Sequence, residues 1–296
     1  MTIGGQAVPA AGPEQDIPSQ PGRVGAKARR WGPGGTLNGS SESTARVVRV
    51  KSPTQRREAQ RAFWRSKYEQ REPFFGESES AFARYCLKVL RREPSVREVV
   101  ELGSGYGRDA RFLAECGYSV TGVDVTGGGA HRSVLARRGS ESARFVEGDA
   151  LRFLDGLPAG GSDAVYSNMF FNMDYTRREH RRLLKAIHRV LRESGLHLYS
   201  ARSTTDPWYG RGRKVRPDTF DFAPNGVTMH FFSKEYADEV SEGLFEPVSR
   251  REQREGKDDF PIRLLYVVDR KAHTNATTVQ SPKRRSETRR RSRDRS

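Results

Sequence analysis

The run Val99-Val100-Glu101-Leu102-Gly103-Ser104-Gly105-Tyr106-Gly107-Arg108-Asp109 constrains this chain more than any other stretch. It reads as a buried strand, a glycine-rich turn and the start of a helix. Glycines in such a turn let backbone approach a ligand where any Cβ would clash. The spacing is not that of the G-x-G-x-x-G dinucleotide fingerprint, because the glycines fall on every second position and residue 108 is arginine. Two acids strengthen the reading. Asp124, at the tip of the second strand, is placed to accept both hydroxyls of a ribose, and Asp149 with Ala150, after the third strand, to meet an adenine ring and its amino group.

Around this turn, helical and strand patterns alternate. Residues 56–70 read as a helix with Phe63, Trp64 and Tyr68 on one side, and Ser80–Arg92 as another with Phe82, Tyr85, Cys86, Val89 and Leu90 inward. A strand at Val96–Leu102 is followed by a helix over 108–116 that stops at Gly117. Tyr118–Val123 is the second strand, 130–138 a short helix, and Ala143–Glu147 and Asp163–Ser167 the third and fourth strands. Tyr175–Leu191 is a long amphipathic helix with Leu183, Leu184, Ile187, Val190 and Leu191 inward. Leu196–Ala201 is a fifth strand, 203–229 reads as irregular, and a helix near 234–242 precedes strands at about 245–250 and 263–268. This alternation predicts an α/β, doubly wound, mostly parallel sheet with helices on both faces. Ligands of such sheets bind outside the carboxyl ends of the strands, at the switch point.

The ends differ from the middle. Of the formal charge of +16, residues 1–55 contribute +4 (7 basic, 3 acidic) and 271–296 contribute +7 (9 basic, 2 acidic), which leaves 56–270 at +5 (37 basic, 32 acidic). Residues 1–55 offer too little apolar surface to offset their ordering entropy and are expected as a disordered extension, and 271–296 as a disordered basic tail. Segment 56–270 is the folded domain, long enough for one core. No run of about 18 apolar residues is available to cross a membrane. Met1-Thr2-Ile3-Gly4-Gly5 lacks a basic segment followed by an apolar one, so a cytoplasmic location is expected. Cys86 and Cys116 have neither C-x-x-C spacing nor a nearby histidine cluster, so they are expected as reduced structural thiols, with no metal site. Clustered arginine at the C-terminal end suits phosphate, but a solvated tail in a chain with 43 Arg and 10 Lys is the favoured reading.

In order along the chain, these pieces resemble the class I S-adenosylmethionine-dependent methyltransferases over nearly all of 56–270. Glu101–Gly107 looks like that family's first motif, Val123-Asp124 its second-strand acid, and Gly148-Asp149-Ala150 its adenine-side motif. Asp163–Asn168 resembles the fourth-strand motif, whose end faces the transferred methyl. His188–Leu196 is similar to the family's approach to strand five, with Glu193-Ser194 in place of Pro-Gly. The resemblance implies a Rossmann-like, seven-stranded sheet with a reversed last hairpin, and S-adenosyl-L-methionine as cofactor. It implies a cofactor set of Glu101, Gly103, Ser104, Gly105, Asp124, Val125, Asp149, Ala150, Asn168 and Met169. Ser200–Ser203, Asp206–Gly212 and His230–Ser233 look like segments of the small-molecule branch that holds the tellurite-resistance and thiopurine enzymes, which implies a small-molecule acceptor.

Methyl transfer from a sulfonium is an in-line displacement, so alignment and exclusion of water dominate. For removal of an acceptor proton the candidates are His230, Asp206 and Asp174, and Asp174 suits equally the N-cap of a helix beginning at Tyr175. The other histidines read as structural: His180 and His188 on a charged helix face, His197 in a strand and His131 in a short helix. Trp64, Tyr68, Phe75, Tyr106, Phe170 and Trp208 are expected to line an acceptor pocket, where aromatic walls suit apolar acceptors and cation–π contact. Arg202 is expected to hold an acceptor carboxylate or to pair with Asp206. Three rivals stand beside this reading: an RNA or protein methyltransferase using the basic tails, an NAD(P) oxidoreductase, and a non-catalytic nucleic-acid-binding protein.

Overall fold

The computed structural model describes residues 51–70, 74–127, 142–222, 227–257 and 260–272. The expected short helix at 130–138 with His131, and the greater part of both terminal extensions, lie outside the described residues. In chain order the elements are α1 (Pro53–Tyr68), α2 (Ala81–Leu90), β1 (Glu98–Leu102), α3 (Arg108–Glu115), β2 (Ser119–Asp124), β3 (Ala143–Glu147), α4 (Ala150–Gly156) and β4 (Ser162–Asn168). They continue with α5 (Arg177–Val190), β5 (Leu191–Arg202), β6 (Arg213–Arg216), β7 (Thr219–Phe222), β8 (Val227–His230), α6 (Lys234–Ser241), β9 (Phe245–Lys257) and β10 (Phe260–Lys271).

Seven strands form one sheet in the order β3-β2-β1-β4-β5-β10-β9. The first five run parallel, and β10 is antiparallel to both β5 and β9. That is the doubly wound sheet with a reversed last hairpin. Period-two alternation sorts the side chains into two apolar layers. Val100, Leu102, Val165, Tyr199, Ala201, Leu265 and Val267 pack with residues of α4, α5 and α6. Val99, Ala164, Tyr166, Leu196, Leu198, Leu264 and Tyr266 pack with α2 and α3.

Helix ends follow local capping chemistry. Ser52 and Gln55 make a reciprocal capping box with Pro53 at the first helical position, so α1 starts three residues before the expected 56. The long helix starts at Arg177, because Thr176 and Glu179 form a second box. Asp174 is therefore not the cap. It is buried between two arginines, Arg56 of α1 at 3.0 Å and Arg216 of β6 at 2.5 Å.

Three expectations give way to tertiary structure. The stretch 203–229, read as irregular, contains the antiparallel sheet β6-β7-β8, whose four-residue strands are too short to show a period. The last two strands have 13 and 12 residues, far longer than expected. β9 is a sheet edge carrying Arg250, Arg251, Glu252, Arg254 and Glu255, the charged pattern that blunts edge-to-edge association and disguises a strand. His180 is not on the charged face of its helix but fully buried, with Nε2 donating to the Phe171 carbonyl and Nδ1 accepting from the Tyr236 hydroxyl, both at 2.8 Å. Cys86 is buried and Cys116 half-buried, both as free thiols. Among the described residues, no helix is long and apolar enough to cross a membrane and no cluster of His, Cys, Asp or Glu is arranged for a metal.

Among the described residues, His197 is a polar group in the interior with no hydrogen-bond partner. It is fully buried, neither ring nitrogen has a partner, and burial with the nearby Arg250 charge pushes its pKa from 6.5 to about 3. Its folded pKa is lowered, so its contribution is present above 6.5 and is lost as pH falls toward the folded value, since only the unfolded imidazole takes up a proton. His197→Leu is therefore expected to raise the melting temperature. Its advantage over the wild type should widen by roughly 1 kcal/mol per pH unit as pH falls below the unfolded value. Calorimetry from pH 7 to 5 checks this, and a constant difference across that range would show that His197 does not titrate as described.

Candidate functional site

The strand order reverses between β1 and β4, whose connections leave to opposite layers through α3 and α5. The glycine turn leaves β1 at this point. Gly103, Gly105 and Gly107 have φ of +71°, +54° and +89°, the left-handed region that glycine enters freely. The turn is tied to β2, with the N–H groups of Gly103 and Ser104 donating to the Val123 carbonyl at 2.9 and 3.1 Å. Asp124 adds the next tie, accepting from Gly105 N–H at 2.9 Å and from the Thr126 N–H and hydroxyl at 2.8 and 2.6 Å. A carboxylate has about four lone-pair sites. Asp124 thus keeps room for about one further donor, where the sequence suggested two ribose hydroxyls.

Glu101, at the other side of the turn, is buried and accepts from the backbone N–H of Ala110, while its Oε2 has no partner. Burial, followed by the Asp109 charge, holds its carboxyl well above the usual range. An orphaned buried carboxylate oxygen is the place for a cation. Asp149 caps α4, accepting from Arg152 N–H at 3.0 Å, with Ala150 buried behind it. Asp149 and Val125 line one cavity together with Arg61, Arg152 and Arg182. The structure thus brings Glu101, Gly103, Ser104, Gly105, Asp124, Val125, Asp149 and Ala150 around the carboxyl ends of β1, β2 and β3, with Asn168 and Met169 at the end of β4.

Aromatic side chains cover the turn. A Cβ at Gly103 would lie 2.8 Å from Phe170, and one at Gly105 would lie 3.1 Å from the Tyr68 hydroxyl. Tyr68 meets Tyr106 edge-on at 5.7 Å, and Trp64 stacks between Tyr68 and Phe75 at 6.0 Å from each. The Tyr106 hydroxyl donates to the Gly76 carbonyl at 2.6 Å, and burial pushes its pKa up to about 12. These rings form an aromatic wall over the turn.

Of the candidate bases, Asp206 is committed elsewhere, and His230 keeps Nε2 without a partner. Asp206 is buried, holds Arg202 at 2.7 Å and accepts from the N–H groups of Trp208 and Arg263 at 2.8 and 2.6 Å. It fastens the segment after β5 to β10, and Arg202 is its counterion and not a free substrate contact. Trp208 packs edge-on against Phe222 of the small sheet at 5.9 Å, apart from the Trp64–Tyr68–Phe75 column. The Thr219 hydroxyl donates to the Pro217 carbonyl at 3.0 Å, so at 2.8 Å it accepts from His230 Nδ1–H. The His230 ring is packed against His180 and Tyr236, and burial holds its pKa down to about 4, so it is a weak base beneath α5 and α6.

The sequence reading missed the centre of the site. Asp109 is buried and accepts from the Ser80 N–H and hydroxyl at 2.7 and 2.8 Å, the Tyr166 hydroxyl at 2.8 Å and Asn168 Nδ2 at 3.3 Å. Its one signal was a carboxylate in the first turn of a helix after a glycine turn, which suits the helix dipole without further purpose.

Residues 99–195 match the family model for a methyltransferase domain. No curated protein matches the chain significantly. Among solved structures the chain is similar to the 1,6-didemethyltoxoflavin-N1-methyltransferase of Burkholderia thailandensis, bound to 1,6-didemethyltoxoflavin and S-adenosylhomocysteine. The identity is 21% and the TM-score 0.58, over 76% of this chain and 92% of that one. A SAM-dependent methyltransferase of Methanosarcina mazei is similar at 17% identity and TM-score 0.53, over 62% and 96%. A protein solved in work on the conversion of a disulfide bond into a thioacetal during echinomycin biosynthesis is similar at 18% and 0.53, over 74% and 93%. At these identities the likeness fixes the fold, a Rossmann-like methyltransferase sheet.

Asp206→Ala separates assembly from catalysis. Breaking a buried ion pair leaves an uncompensated charge, at a cost of about 3–5 kcal/mol, so the variant is expected to melt far below the wild type. An unchanged melting temperature would return Asp206 to the list of candidate bases.

Proposed function

We propose that this chain, whose segment 99–195 is a methyltransferase domain, is a class I S-adenosylmethionine-dependent methyltransferase acting on a small-molecule acceptor. The observation that carries the reading is the glycine turn at the β1–β4 switch, flanked by the orphaned Glu101 oxygen and by Asp124. These residues fit the cofactor. Glu101 would face its ammonium group, the Gly103–Gly105 backbone its tail, Asp124 a ribose hydroxyl, and Val125, Asp149 and Ala150 its adenine. When bound, S-adenosyl-L-methionine supplies a methyl on a sulfonium, an activated leaving group.

The chain's own part is alignment and exclusion of water. Tyr68, Tyr106, Trp64, Phe75 and Phe170 wall the turn with rings, and electron-rich ring faces suit a sulfonium and a planar or apolar acceptor. With Asp206 and His230 engaged in packing, the reading favours an acceptor atom that needs no strong base. The 1,6-didemethyltoxoflavin bound to the Burkholderia thailandensis enzyme supports a small-molecule acceptor. RNA remains the rival, and transfer to total RNA that falls steeply with salt would favour it, each phosphate contact adding about 0.7 to the log–log slope on a single strand.

The test is calorimetric titration with S-adenosylhomocysteine. The wild type is expected to bind. Asp124→Ala should weaken binding strongly, because it removes a charged acceptor worth about 1.5–3 kcal/mol per hydrogen bond and releases Gly105 from β2. Gly105→Val should abolish binding while the protein stays folded, since a β-branched residue disfavours φ of +54° and presses on Tyr68. Wild-type protein with no affinity would overturn the reading. Equal affinity in the Asp124 variant would remove that residue from the site.

A further inference from the structure

Met169, the first residue beyond β4, has φ of +56°, a conformation an unbranched non-glycine side chain adopts only under constraint. The constraint is Ser200 of β5, fully buried and opposite Asn168 in the parallel register. The Met169 N–H donates to both the carbonyl and the hydroxyl oxygen of Ser200, each at 3.0 Å. Chemistry fixes the remaining orientations. Asp109 accepts from Asn168 at 3.3 Å, so the Asn168 group that faces it is the NH2. Oδ1 of Asn168 then faces Ser200, whose hydroxyl donates to it at 2.5 Å and keeps its lone pairs for the Met169 N–H. Each hydrogen bond in the chain Ser80–Asp109–Asn168–Ser200–Met169 has one direction.

This clamp has a geometric product. The left-handed residue turns the chain at the end of β4, and the next side chain, Phe170, lands on Gly103, where a Cβ would meet its ring at 2.8 Å. Ser200 therefore reaches the glycine turn in two steps without touching it. Both Asn168 polar atoms are engaged in the clamp, so the tip presents a fixed surface and not a swinging amide.

We propose that Ser200 is a positioning residue for methyl transfer: through Asn168 and Met169 it fixes the tip of β4 and sets the Phe170 ring on Gly103 of the glycine turn that would hold the cofactor. The inference rests on the cofactor reading above. A purely structural serine would affect stability alone, whereas a positioning residue controls the surroundings of the bound methyl.

The probe is S-adenosyl-L-methionine carrying carbon-13 in its methyl group, with the bound methyl resonance read by NMR and affinity by titration. In the wild type a single narrow bound signal, displaced from the free one, is expected. Ser200→Ala should bind within about threefold of the wild type while the methyl signal moves back toward the free position or broadens. Ser200→Thr, which keeps the hydroxyl that meets Asn168 and the Met169 N–H, should give a single narrow signal near the wild-type position. A bound methyl signal in Ser200→Ala that coincides with the wild type overturns the proposal. If Ser200→Ala alone does not fold, Ser200→Cys, which keeps the size and weakens the hydroxyl's hydrogen bonds, carries the test, with a displaced signal supporting the clamp and a wild-type signal overturning it. Absence of any binding by the wild-type protein would instead sink the cofactor reading, a separate outcome.

Discussion

One buried carboxylate, Asp109, holds the switch point together. Taking a charge out of water is costly unless donors replace the solvent, and Asp109 gathers them from three places: Ser80 before α2, Tyr166 within β4 and Asn168 at its tip. Each is fixed in turn, since Ser80 also caps α2 by accepting from Ala83 N–H, and Tyr166 stacks on Phe82 of the same helix. The glycine turn lies between these ties. Its freedom of backbone is useful only because the strand ends on either side do not move.

Other acids perform the same task farther out. Asp174 joins α1, the β4–α5 connection and the small sheet through Arg56 and Arg216. Asp206 joins the segment after β5 to β10 through Arg202 and Arg263 N–H, and Glu252 of β9 accepts from the Ser203 and Thr205 hydroxyls at 2.6 Å each. An acid near a candidate active site invites a catalytic assignment. Packing decides against it here, because the oxygens of Asp174 and Asp206 are taken up by the donors that fix these elements. The two acids at the glycine turn differ in kind: Glu101 keeps an oxygen without a partner, and Asp124 keeps acceptor capacity beside a backbone that any Cβ would obstruct.

The site therefore divides into two halves. Backbone and carboxylates at the ends of β1, β2 and β3 make a rigid polar half. Rings from α1, from the 74–76 segment and from the residues after β4 make an apolar half, held in place by Asp174, by Tyr106 and Arg108, and by the clamp at Ser200 respectively. A displacement reaction needs this division, with charge complementarity on the donor side and shape with exclusion of water on the acceptor side.

The sequence by itself determined the parallel sheet and the glycine turn with its flanking acids, because these depend on local period and spacing: Val99 and Val100 alternate between layers, and Gly103, Gly105 and Gly107 sit where backbone alone fits. Element ends set by local boxes, Ser52 with Gln55 and Thr176 with Glu179, were written in the sequence too, although the first was passed over and the second was obscured by Asp174. Only the tertiary structure decided what each buried polar group does. Arg56 and Asp174 are 118 positions apart, Asp109 and Asn168 59, and Met169 and Ser200 31. No local pattern registers such distances. The role of a polar side chain in a core is set by the partner that replaces its water, and chain topology chooses that partner.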